Sequence, residues 1–171
     1  MNVYKLIQDS DTYDSLLASR EARQRLDEFG KPQAQSWEPL PVDVYSVGRS
    51  GDFPSLRRDV PVFSEGAWQV LRPLIELSVE ALPLIGTKDS YLAINVLDIA
   101  DCLDHSRAKI SLLPSGGVMS VDKYVFKDGC LNNRHIFKLP ETAVQEVLVS
   151  EEFKQLVERS GLKGLMFRKV A

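Results

Sequence analysis

Apolar positions recur along this chain in two rhythms, strict alternation and a helical spacing, and their succession predicts a mixed α and β protein. Val3, Tyr4, Leu6 and Ile7 mark a first strand over 3–8, with Asp9, Ser10 and Asp11 as a turn or helix cap behind it. Tyr13, Leu16, Leu17, Leu26 and Phe29 fall at loosely helical spacing beside an Arg-rich polar face, which predicts a helix over 13–29. Gly30-Lys31-Pro32 ends it, because Gly suits a helix C-cap and Pro cannot continue the helix. From 33 to 61 periodicity is poor and Pro and Gly are frequent, so long loops are expected around a short strand over 42–47. Trp37, Tyr45 and Phe53 are the apolar residues available to pack such loops.

Periodicity returns after that. Ser64 is a natural N-cap with Glu65 in the first turn, followed by Trp68, Leu71, Leu74 and Ile75 as one apolar stripe. Pro73 should kink this helix or open a second one. Residues 79–85 and 91–97 read as buried strands joined by a turn over 86–90. Residues 109–113 and 118–126 flank Ser115-Gly116-Gly117 as a hairpin; Asp128-Gly129 is a second turn and 134–139 a further strand. Ser150-Glu151-Glu152 opens a last helix with Phe153, Leu156 and Val157 inward; Gly161 closes it and 164–170 returns as a strand. The fold class expected is α+β: a mostly antiparallel sheet with a few packed helices, in a single domain over 1–171 whose first 50 residues are the variable part.

Composition narrows the function classes. The longest apolar tracts, 82–85 and 92–97, fall far short of the ~20 residues of a membrane helix. The first residues carry neither a basic region nor a long apolar one, so no secretory signal is expected and the cytoplasm is the expected location. A net charge of -3 argues against direct nucleic-acid binding, which requires clustered Lys and Arg. Cys102 and Cys130 lack metal-ligand or Cys-x-x-Cys spacing and read as small, partly buried apolar residues, with a disulfide left open.

Candidate chemistry is sparse. On a helix, Asp98, Asp101, Cys102 and His105 would share one face and could hold a divalent ion, with Asp104 adjacent. An acidic turn after a buried strand is the plainer reading of the same residues, and neither a metal nor another cofactor is expected. His105 and His135 have no Gly-x-Ser-x-Gly elbow to serve, and nothing near Cys102 would activate a thiol. Ser115-Gly116-Gly117 lacks the Lys of a phosphate loop. Glu80, alone among apolar neighbours, requires a partner if buried, and a structural ion pair is expected there.

One ordered series points further. It comprises Asp52-Phe53-Pro54, Ser64, Leu71 and Leu74, Val79-Glu80-Ala81-Leu82-Pro83-Leu84, Tyr91 and Asn95-Val96. It continues with Asp104 and Ser106, Ile136-Phe137-Lys138-Leu139, Val149-Ser150 and Gly164-Leu165-Met166-Phe167. From Gly51 onward the chain thereby resembles a family of bacterial immunity proteins of polymorphic toxin systems. The resemblance implies a cytoplasmic inhibitor, without catalysis or cofactor, of a cognate toxin of the kind often delivered by type VI secretion. Residues 10–50 match least, and toxin specificity is expected in such variable parts. The mild acidity suits a nuclease toxin with a basic groove, and Asp98, Asp101, Asp104 and His105 are the candidate contacts. The competing reading is a small hydrolase or metal-dependent enzyme built on the same 98–105 segment. No membrane contact is expected, and the sequence does not set the oligomeric state.

Overall fold

The structure is a computed structural model that describes residues 1–46 and 48–171. Three helices pack on strands that are antiparallel with one exception among the described residues, an α+β architecture as the pattern predicts. Four strands, β1 (Val3–Gln8), β9 (Ile136–Phe137), β10 (Leu148–Ser150) and β11 (Leu165–Lys169), form one sheet in the order β11-β1-β10-β9. Five more form a second: β2 (Ser15–Ala18), β3 (Leu40–Ser46), β4 (Val62–Ser64), β5 (Val79–Ile85) and β6 (Tyr91–Val96), ordered β2-β3-β5-β6-β4. Its β3–β5 pairing is the parallel exception. A separate hairpin joins β7 (Lys109–Leu112) to β8 (Val118–Lys123).

The helix expected over 13–29 is instead two elements. β2 comes first, with Leu16 and Ala18 buried and Leu17 exposed between them, the period of a strand. Helix α1 (Arg20–Leu26) starts only at Ser19, whose hydroxyl accepts from Ala22 N at 3.2 Å. The strand expected over 42–47 begins earlier, at Leu40, and Val47 lies outside the described residues. Helix α2 (Glu65–Ile75) is capped by Ser64 and runs through Pro73 without a second helix starting there. Leu71 and Ile75, buried on either side of the proline, hold it in place; a proline at this point removes one backbone donor. Helix α3 (Glu151–Arg159) is capped by Ser150 as expected. The strand expected over 134–139 shrinks to β9, and β10 is an addition.

Three apolar clusters fill the interior. The largest lies between the four-stranded sheet and α2, α3 and β6, where Phe53 stands edge-on to Phe63 at 5.2 Å. A second packs α1 on the five-stranded sheet through Leu26, Leu40, Val62 and Ala93. Leu82 and Leu84 both point inward from β5, as the tract predicts. The third cluster gathers Val3, Cys102, Leu103, Phe137 and Leu148 under the 98–105 segment.

A buried carboxylate ties these parts together. Glu146 receives the Tyr124 hydroxyl at 2.6 Å and the Thr142 hydroxyl at 2.9 Å, and pairs with Lys5 Nζ at 2.6 Å. Burial first and the bond to Glu146 second push the Tyr124 phenol well above its ordinary range.

Candidate functional site

Residues 98–104 are cross-laced to neighbouring chain rather than helical, and His105 opens the turn that follows. Asp98 O accepts from Lys138 N at 2.9 Å and Lys138 O from Ala100 N at 2.7 Å, so the segment runs beside the continuation of β9. Further along, Cys102 O accepts from Lys127 N at 2.9 Å and Asp104 N donates to Val125 O at 2.8 Å. Without helical i to i+4 bonds, residues 98, 101, 102 and 105 are not brought onto one face. The shared helical face considered for Asp98, Asp101, Cys102 and His105 is therefore absent. Among the described residues no group of three or more His, Cys, Asp and Glu side chains converges on a point where a metal could sit.

The four candidate residues divide unevenly. Asp98 turns away to pair with Arg134. Asp101, Asp104 and His105 line one shallow cleft of about 760 Å³ with Leu103, Lys127, Pro140 and Glu141. Asp101 is 75% exposed and meets Lys127 Nζ at 3.1 Å. Asp104 is braced by its own turn, accepting from Ser106 Oγ at 2.6 Å, Ser106 N at 3.0 Å and Arg107 Nε at 2.6 Å. The Ser106 hydroxyl first and the Arg107 guanidinium second hold its carboxyl down at about 2. Asp104 is thus a fixed negative charge with a fixed orientation.

His105 Nε2 lies 2.5 Å from Glu141 Oε1, and Glu141 Oε2 is buried without a hydrogen-bond partner among the described residues. Sequence reading did not single out Glu141. It lies 36 positions from His105 and follows Pro140 in a one-turn 3-10 helix, a placement no local pattern signals. The cleft that results carries three carboxylates against Lys127 and a histidine, mounted on backbone pinned at both ends.

Three other sequence expectations resolve elsewhere. Cys102 and Cys130 are joined in a disulfide with Cα atoms 5.7 Å apart, and both pack in the third apolar cluster. The bond ties the 98–105 segment to the turn that begins at Asp128. His135 places Nδ1 3.0 Å from Ser150 Oγ, at the N-terminus of α3. Glu80 has no cationic partner among the described residues; it accepts from Gln33 N at 2.8 Å, Ala34 N at 3.1 Å and Asn95 Nδ2 at 2.9 Å. Free backbone amides of the 33–36 turn thus do for Glu80 what an ion pair was expected to do.

These features describe an α+β domain that carries a cleft lined by three carboxylates, with no helix long and apolar enough, among the described residues, to cross a membrane. Residues 86–171, half of the chain, match the Immunity protein family (Imm11), and the protein belongs to that family. The matched half contains the whole 98–105 segment, the hairpin, both cysteines and Glu141. No curated protein matches the chain.

Proposed function

We propose that this protein is a cytoplasmic immunity protein that binds a cognate secreted antibacterial toxin and neutralises it by occupancy, without chemistry of its own. Membership of the Imm11 family is the observation that carries the reading. The cleft of Asp101, Asp104, His105 and Glu141 supports it as the contact surface, with Asp98 behind it as a brace rather than a contact. Fixed negative charge on ordered backbone favours fast capture of a basic surface, because little side-chain freedom is lost on docking and opposite fields steer the encounter. A basic substrate groove is the mark of a nuclease, so the toxin is proposed to be one, delivered by type VI secretion.

Co-expression titration tests the reading. Rescue of cells from the toxin should require near-stoichiometric amounts of this protein, and rescue at strongly substoichiometric levels would show turnover instead. Association should slow as salt rises from roughly 50 to 500 mM, over which the screening length shrinks severalfold. An on-rate unchanged across that range would remove the charge-steering part and leave the inhibitor reading standing.

A further inference from the structure

A second cleft lies between the end of α1 and the chain following β9. It measures about 490 Å³ and is lined by Asp27, Phe29, Arg57, Arg58, Asp59, Ile99, Lys138 and Val144, among others. Lys138 forms its floor. Its backbone is fixed by the two hydrogen bonds to the 98–100 segment, and the residue is 2% exposed. A lysine buried to that degree normally hydrogen-bonds its ammonium to a carboxylate or carbonyl. Here the ammonium has no hydrogen bond among the described residues, and its closest carboxylate oxygen, Asp59 Oδ2, is 3.9 Å away.

Asp59 is already occupied. Arg57 clamps both of its oxygens, Nε to Oδ1 at 2.6 Å and Nη2 to Oδ2 at 2.8 Å. The same guanidinium also donates to Asp27 Oδ1 at 2.6 Å and to Leu26 O at 3.2 Å. Each Asp59 oxygen thus already accepts from Arg57, and Lys138 faces Asp59 by charge at 3.9 Å without a hydrogen bond. Burial pushes its ammonium below the usual lysine range, only partly offset by Asp59. At the rim Arg58 is exposed and makes no hydrogen bond through its side chain among the described residues. The lining therefore carries three cations against two carboxylates in a chain whose net charge is -3. Phe29, Ile99 and Val144 complete the wall, and Val144 is 77% exposed despite being apolar.

We propose that this cleft is an anion site in which Lys138 receives a carboxylate, with Arg58 closing over it and the apolar wall covering a short aliphatic stem. The ligand class is a carboxylate on a hydrocarbon arm, either a free small acid or the side chain of a Glu or Asp on a bound protein. Phosphate would satisfy the charge but would leave Phe29, Ile99 and Val144 uncovered, so it should bind more weakly. The protein-borne source rests on the toxin-binding reading above; the free-acid source does not.

Butyrate and inorganic phosphate, titrated separately into the intact protein and followed by amide NMR shifts, test the site. Butyrate should give saturable shifts at Gly30, Ile99 and Val144, in roughly the millimolar range expected of so small a ligand. Phosphate should bind several-fold more weakly. Lys138→Met should abolish the shifts while keeping the melting temperature close to or above that of the parent, since an ammonium without a hydrogen bond gives way to an apolar chain of similar length and Arg57 still neutralises Asp59. Arg58→Gln, at an exposed position, should weaken butyrate binding several-fold without unfolding the protein. Absence of saturable shifts, shifts that survive Lys138→Met, or shifts stronger with phosphate would each overturn the proposal. If Lys138→Met melted well below the parent, its ammonium would be a structural partner of Asp59, and the proposal would fall. The sources separate on toxin affinity: a loss of about tenfold or more in Lys138→Met, with butyrate competing against toxin, identifies a partner's acidic side chain. Unchanged toxin affinity alongside butyrate binding identifies a free acid. Failure of the toxin reading itself would show in the rescue titration with the parent protein and leaves the butyrate result intact.

Discussion

Glu80 and Asn95 stand opposite each other on β5 and β6, and their side chains meet at 2.9 Å over the outer end of the sheet. Asn95 also accepts from Gly30 N at 2.7 Å and donates to Lys31 O at 2.8 Å, while Glu80 takes the amides of Gln33 and Ala34. Two polar residues on neighbouring strands thereby satisfy most of the loop that leaves α1. Gly30 has φ of 100°, a backbone state that suits glycine, and the loop needs this external support.

Removing either residue should cost more than one hydrogen bond. Asn95→Ala leaves a backbone donor and acceptor of the 30–31 turn without partners, and a loss of about 1–3 kcal/mol is expected. Glu80→Ala should cost a similar amount, and the double variant less than the sum, because both act on one loop. Chemical denaturation of the three variants measures this. Full additivity would show that the two residues support the loop independently.

The apolar floor of β5 and the acidic cleft should respond oppositely to truncation. Leu82→Ala and Leu84→Ala each remove a buried side chain and should cost about 2–5 kcal/mol. Asp101→Ala, at an exposed position, should change stability by no more than about 0.5 kcal/mol while slowing toxin capture. Melting and association rate on the same variants decide this, and a severe loss of stability in Asp101→Ala would make that carboxylate structural.

The Asp104 turn makes a pH prediction with a definite sign. Its folded carboxyl titrates at about 2, below the ordinary aspartate range, so its stabilising contribution is present above that range and lost as pH falls towards 2. The melting temperature of Asp104→Asn should therefore lie below that of the parent between pH 5 and 7. The two curves should converge as pH falls from about 4 to about 2. A constant gap down to pH 2 would place the depressed titration elsewhere.

The disulfide predicts a redox dependence. Cys102 and Cys130 are 28 positions apart, and opening a loop of that length should cost about 3–4 kcal/mol in the chain-entropy description. Thermal melts with and without reductant measure that difference. On the cytoplasmic reading the pair is held reduced in the cell. Thiol alkylation during lysis should then label both cysteines, whereas protection of both would move the protein to an oxidising compartment.

Which elements could be read from the sequence follows from how local their causes are. Helices α2 and α3 were legible because Ser64 and Ser150 sit directly before apolar stripes, and β5 and β6 because their runs are long. Residues 13–29 misled because Leu16 and Leu17 suit a helical stripe as well as a strand, and only pairing of β2 with β3 decides between them. At three residues β10 is too short for a period, and it exists because β1 and β9 flank it. Of the candidate site, Asp101, Asp104 and His105 were legible as a cluster because they are neighbours in the chain. Glu141, and the meeting of Lys138 with Asp59, depend on contacts between distant segments and leave no local trace.

The place of β1 in its sheet sets the timing of folding. This strand is gripped on one side by β10 and on the other by β11, both far downstream of it in sequence. At a synthesis rate of about 5–20 residues per second it waits roughly seven to thirty seconds with neither neighbour in existence. During that interval Val3, Tyr4 and Leu6, all buried in the finished fold, are open to any other strand edge nearby. On the inhibitor reading proposed above, protection would begin only after β10 and β11 are made, so the supply of this protein must run ahead of the toxin rather than answer it.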